Sequence, residues 1–211
     1  MKRNLIAVAA AAVMAAAVAL PAQSARAANI IDEWASVKAP PAPTLKPVTI
    51  EAKTTALLML DFMNQNCGKR PRCLATVPGM KKLLDEVRAH KVAVVYSIIA
   101  NTTTADVIKD VAPFVDEPHV QAGPDKFRNT DLEKILKDKG ITAVIVTGTA
   151  ANGAVLYTGS AVALRGMSVI VPVDGMSAEN PYAELSTAWT FTNAPQVSAK
   201  PTLTKVEMIK F

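Results

Sequence analysis

An α/β fold, with a mainly parallel sheet carrying helices on both faces, is what this sequence predicts, and three observations carry the prediction. Four short runs, ALLML (56–60), VAVVYSII (92–99), AVIV (143–146) and VIV (169–171), are apolar almost without interruption, the pattern of strands covered on both faces. Segments with helical spacing lie between them. No stretch repeats, so the alternation of strand and helix describes one layered domain rather than an array.

Residues 28–53 read as an N-terminal arm. KAPPAPTLKP (38–47) holds four prolines, and proline lacks the backbone N–H that a helix or central strand requires. Ile30, Ile31 and Trp34 at its start could dock on the body or on a neighbouring subunit. The domain proper is read as 54–211. Its first strand ends at Asp61. Met80, Leu83, Leu84 and Val87 follow at i, i+3, i+4 and i+7, the stripe of an amphipathic helix. After the second strand, TDLE (130–133) has the form of a capping box, with Leu132, Ile135 and Leu136 behind it and a stop at Gly140. The third strand passes through GTAANG (148–153) into a helix over 154–164, closed by Arg165 and Gly166. The fourth runs to Asp174. Residues 181–192 suit another helix, and the tail has no clear period. Ligands of such sheets lie beyond the carboxyl ends of the strands, which gathers Asp61, residues 97–101, residues 148–152 and Asp174 on one rim.

The first 27 residues do not belong to this domain. Lys2 and Arg3 form a positive start, Leu5 to Leu20 is an apolar run, and Ala25-Arg26-Ala27 has the small-x-small form of a cleavage site. This reads as a secretory signal peptide, cut after Ala27, with a membrane anchor as the other reading, for which the Ala-rich run is short and weakly apolar. The signal reading places the mature protein in a periplasm or outside the cell. Lys2, Arg3 and Arg26 account for three of the formal +5 charges, so the mature chain carries only +2. No Lys and Arg cluster with aromatics, which leaves nucleic-acid binding without support. No membrane partner is expected once the signal is removed.

NCGKRPRC (66–73) holds the only two cysteines, Cys67 and Cys73. In an exported chain an even pair closing a short loop reads as a disulfide, with a free catalytic thiol as the alternative. No spacing suggests a metal site, and nothing calls for a cofactor.

Asp61 ends a buried strand, where lost hydration raises a carboxyl group's pKa and fits it for proton transfer; capping the segment that follows is the other reading. Lys126, in GPDKFRNTDLE (123–133), would hold such an aspartate ionised or stabilise developing charge, or else is a solvated surface lysine. His119, in EPHVQ (117–121), is an acid–base group or an incidental loop residue. In the turn after the third strand, Thr149, Ala150, Asn152, Gly153 and Ala154 present small side chains at a helix start. Its N–H groups can receive an oxyanion or a carbonyl oxygen, or the small residues serve close packing alone.

Asp61, the block FRNTDLEKILKDKGITAVIVTG (127–148) and the block TGTAANGAVLYTGSAVALRGMSVIVPVDGMSA (147–178) together resemble the isochorismatase-like hydrolase superfamily over about residues 54–178. The resemblance implies a three-layer α/β/α sandwich on a mainly parallel, Rossmann-like sheet, a small-molecule substrate, and association into homo-oligomers through helices beside the site. Most members are cysteine hydrolases with an Asp–Lys–Cys triad that cleaves amides. The Asp matches Asp61, and the Cys position falls on Ala154. The family lysine falls near Gln121, which makes Lys126 the neighbouring candidate. A cis peptide, common in this turn, would join Thr149 and Ala150. A methyl group cannot attack, so thioester chemistry at Ala154 is excluded. Isochorismatases proper also dispense with that cysteine, cleaving a vinyl ether with Asp as proton donor. The expectation is an exported hydrolase of a small polar metabolite working by acid–base catalysis at Asp61. A non-catalytic binding protein that keeps the pocket is the alternative.

Overall fold

A computed structural model of the chain describes residues 29–211; the expected signal peptide, residues 1–27, lies outside them. The chain divides after Ala39 into two compact units. In the first, helix α1 (Ile30–Glu33) starts on a complete capping box, with Asn29 accepting from the backbone and Asp32 accepting from the Asn29 N–H.

The second unit, Pro40–Phe211, is the α/β body. In chain order its elements are β1 (Val48–Thr49), β2 (Thr55–Leu60), α2 (Pro71–Leu74), α3 (Val77–Ala89), β3 (Ala93–Ile98), β4 (His119–Gln121), α4 (Leu132–Asp138), β5 (Ala143–Thr149), α5 (Leu156–Leu164), β6 (Ser168–Pro172), β7 (Met176–Ser177), α6 (Pro181–Asn193), β8 (Pro201–Thr204) and β9 (Ile209–Lys210). The main sheet runs β4-β3-β2-β5-β6-β8, with β7 beside the end of β5, and every pair in it is parallel.

Alternation along the buried strands distributes side chains to two cores, because successive residues of a strand face opposite sides. Ala56, Leu58 and Leu60 of β2 join Leu132, Val162 and Phe191 from α4, α5 and α6. Leu57 and Met59 join Met80, Leu83, Leu84 and Val87 of α3. Helices therefore cover both faces, which gives the three-layer sandwich. From β2 the chain moves outward through β3 to β4, then returns to lay β5 on the other side of β2. The order reverses there, so a crevice opens beyond the carboxyl ends of β2 and β5.

Two close approaches set that crevice. Gly148 has φ +122, and a Cβ built on it would lie 2.0 Å from the Leu60 carbonyl oxygen, so only glycine lets β5 pass the end of β2. Farther back, a Cβ on Gly159 of α5 would sit 2.7 Å from the fully buried Phe191 ring of α6. Gly159→Ala overpacks that contact and is expected to lower stability by about 1–3 kcal/mol, read as a lower urea midpoint. An unchanged midpoint would show that the ring has room to move.

Three expectations change. The body begins before residue 54: the Lys46 N–H donates to the Leu203 carbonyl, and β1 pairs with β9, drawing the proline-rich segment's end and the tail together. Such short edge pairings leave no periodic signature. The capping box at 130–133 does not form. Helix α4 starts after Asp131, which has no side-chain cap; Thr130 instead accepts from the Leu132 N–H and donates to the Lys126 carbonyl, while Glu133 accepts from Arg165. The third strand also runs on to Thr149, and a π-type turn, Ala151–Val155, precedes α5.

Candidate active site

The buried run of β2 ends at Asp61, which adopts a left-handed backbone (φ 56), a conformation that aspartate tolerates better than most residues. The chain leaves the sheet there while the carboxylate stays at the strand end, 6% exposed. Ser97 of β3, in register with Leu60, donates its hydroxyl to Asp61 Oδ1 at 2.7 Å. Lys126 arrives from the loop between β4 and α4. Its Nζ donates to Oδ2 at 2.7 Å and to Oδ1 at 2.9 Å, with the Ala122 carbonyl at 3.3 Å.

That loop is tied down from behind. Thr158 of α5 accepts from the Lys126 N–H and donates to the Pro124 carbonyl, both at 3.2 Å. Lys126 is therefore an interior residue, 1% exposed, and the solvated-lysine reading is overturned by these backbone anchors. Burial pushes the Asp61 carboxyl above its ordinary value; the Lys126 charge and the hydrogen bonds from Lys126 and Ser97 pull it back only in part. A carboxyl so placed holds a proton more readily than an exposed aspartate does, which suits it to proton transfer.

Beyond β5, the peptide between Thr149 and Ala150 is cis, at the bond the resemblance singled out. Asp61, Thr149, Ala150, Gly153 and Ala154 line one cavity of about 630 Å³ at the predicted rim. Ala154 is buried there. Three predicted positions are not part of it. Asn152 is exposed and does not line the cavity. Asp174 accepts from the Val206 N–H, joining the tail to the body. His119 is exposed on the edge strand β4. The Gly153 N–H is already taken by the Ala150 carbonyl at 3.0 Å, so it is not a free donor for a ligand.

Cys67 and Cys73 are joined in a disulfide, and both are fully buried, which leaves the chain without a free thiol. The bridge is worth roughly 2–3 kcal/mol for a loop of this length. The disulfide loop forms part of the cavity wall, and three residues not assigned to the site from the sequence line it: Asn66 and Arg70 beside the bridge, and Gln121 from β4. Among the described residues no group of three or more His, Cys, Asp or Glu is placed to hold a metal.

The model of the isochorismatase domain matches residues 55–201. The chain belongs to the isochorismatase family. It is 27% identical over 157 residues to an uncharacterized isochorismatase family protein, YwoC, of Bacillus subtilis (strain 168), an alignment covering 63% of this chain and 82% of that protein. An isochorismatase-like hydrolase from Alkaliphilus metalliredigens shares the fold, with a TM-score of 0.66 at 23% identity over 73% of this chain and 94% of that one. So does an N-carbamoylsarcosine amidase from Thermoplasma acidophilum, with a TM-score of 0.63 at 22% identity over 73% and 97% of the two chains.

The pocket of this isochorismatase-family chain thus combines a buried Asp61–Lys126 ion pair with the methyl group of Ala154. Asp61 and Lys126, 65 residues apart in the chain, are in direct contact. At Ala154 nothing can form a covalent bond to substrate, so the chemistry this arrangement permits is proton transfer and electrostatic stabilisation.

Proposed function

We propose that this isochorismatase-family chain is an exported hydrolase that cleaves a small polar metabolite without a covalent intermediate, Asp61 acting as general acid and base. The observation that carries the reading is the buried Asp61 carboxylate, held by Lys126 and Ser97 and opening on a cavity whose nucleophile position is Ala154. For a vinyl ether, protonated Asp61 would deliver its proton to the terminal alkene carbon, and water would add its oxygen to the ether-bearing carbon. The C–O bond then breaks as the leaving oxygen takes a proton, a carbonyl compound and an alcohol depart, and Asp61 regains the proton released by the water. Lys126 would balance the carboxylate's charge between these steps. The Ala154 N–H, at the start of the helix, is the donor assigned to a substrate oxygen.

Export is supported by the leader pattern of residues 1–27 and by the disulfide. Homo-oligomer formation belongs to the same reading, and Tyr157 of α5 with Tyr182 and Trp189 of α6 are exposed large side chains that a partner copy could cover. The test is a mass-spectrometric turnover screen of the purified mature protein on small vinyl ethers, amides and esters, with Asp61→Asn beside it. A product from wild type that the variant does not make supports a cysteine-independent hydrolase and names its bond. No product from any class, with both proteins folded, favours a binding protein that retains the pocket.

A further inference from the structure

Of the thirteen residues lining the cavity, only Asp61 and Arg70 are ionisable. Lys126 already balances Asp61 through two hydrogen bonds. The other charge of the cavity is the Arg70 guanidinium, which the hydrolytic chemistry does not use and which is only loosely paired, 3.6 Å from the exposed Glu179 carboxylate.

Arg70 is held in place but not consumed. Its backbone ends the short turn Cys67–Lys69 in an extended conformation (φ −121, ψ 108), Pro71 starts α2 directly after it, and the disulfide closes the loop around both. Its side-chain contacts are thin. Nη1 lies 3.4 Å from Thr149 Oγ1, and Nε lies 3.6 Å from Glu179 Oε2, beyond hydrogen-bond distance, on a glutamate whose side chain is 79% exposed. A guanidinium offers five N–H donors and stays charged, so most of this fork is open. Arg72, two residues on, is the contrast: both arms of its fork go to the Glu184 carboxylate.

We propose that Arg70 binds a carboxylate of the substrate, fixing the molecule by its anionic end while the bond to be cleaved lies toward Asp61. The inference rests on this cavity being the substrate site. One planar fork matches one carboxylate in charge and in bidentate geometry. A phosphate dianion would need a second positive group, and the lining holds none.

The experiment is calorimetric binding to the full mature protein, using acetate, benzoate and succinate, the matched amides acetamide, benzamide and succinamide, and phenyl phosphate, with wild type, Arg70→Gln and Arg72→Gln. At least one carboxylate should bind wild type more tightly than its amide, and Arg70→Gln should weaken that carboxylate about tenfold or more without changing the amide. Arg72→Gln should match wild type. Carboxylates that bind no better than their amides, a carboxylate affinity indifferent to Arg70→Gln, or a preference for phenyl phosphate would each overturn the assignment. If the turnover screen finds no product while Arg70-dependent carboxylate binding persists, the hydrolase reading fails and this one stands. Turnover of neutral substrates unaffected by Arg70→Gln has the reverse meaning.

Discussion

Asp61→Asn is expected to reduce turnover by about 10²–10⁴-fold, the usual worth of a positioned acid–base group, in a protein that still folds. Asparagine keeps the shape of the side chain and an oxygen for the Ser97 hydroxyl, which donates to Asp61 Oδ1. It cannot carry a proton to and from the substrate, and it cannot neutralise Lys126. Circular dichroism on the same preparation separates the chemical loss from unfolding. The pH profile gives a second readout. Because burial raises the Asp61 carboxyl above its ordinary value, its protonated form persists to higher pH than that of an exposed aspartate. If that form is the acid in the rate-limiting step, kcat/KM falls as pH rises through the raised pKa, and the variant lacks this limb. A limb that rises with pH would instead make Asp61 the base, and a variant with wild-type turnover would remove it from the mechanism.

Lys126→Met is expected to destabilise the fold by about 3–5 kcal/mol near neutral pH, the cost of leaving a buried charge without its partner. Methionine fills the space, so the loss is electrostatic in origin. Removing Lys126 deletes two of the effects that lower the Asp61 pKa, its charge and its hydrogen bonds, and leaves burial opposed only by Ser97. The folded-state pKa then climbs further above the unfolded value of about 3.9. A carboxyl raised in this way contributes stability that is complete below the unfolded pKa and is lost as pH rises through the folded one. The urea midpoint of Lys126→Met should therefore fall more steeply than that of wild type as pH rises above the unfolded value of about 3.9. The double variant Asp61→Asn, Lys126→Met should recover much of the stability, since a neutral pair replaces a lone buried charge, and remain inactive. A single variant as stable as wild type across that range would show that Asp61 gains nothing from the lysine in the folded state.

Much of this was legible before any coordinates. The four apolar runs became β2, β3, β5 and β6 with ends within a residue or two of those read, apart from the longer β5. Continuous burial on both faces leaves no room for polar residues, and that constraint is written directly into composition. The rim rule then brought Asp61 and the 148–154 turn together, because parallel strands all end on the same side of a sheet. It failed for Asp174, where the tail, having no period of its own, folded back and claimed the carboxylate for the Val206 N–H. Thr130 misled for a similar reason: its hydroxyl met the Lys126 carbonyl, a partner that neighbours in the chain do not reveal.

By itself, then, the amino-acid order determined the layers, the strand that delivers Asp61 and the pairing partners of the disulfide, since each follows from local pattern or from residue chemistry; that Ala154 stands at a nucleophile position is implied only by the family resemblance. Only the tertiary structure decided that Lys126 is an interior ion-pair partner, that Arg70 lines the cavity while Arg72 pairs with Glu184, and that Asn152 is left out of the lining. A side chain on a loop has no period to announce its direction. That direction is settled by which distant backbone groups and charges the folded chain brings within reach.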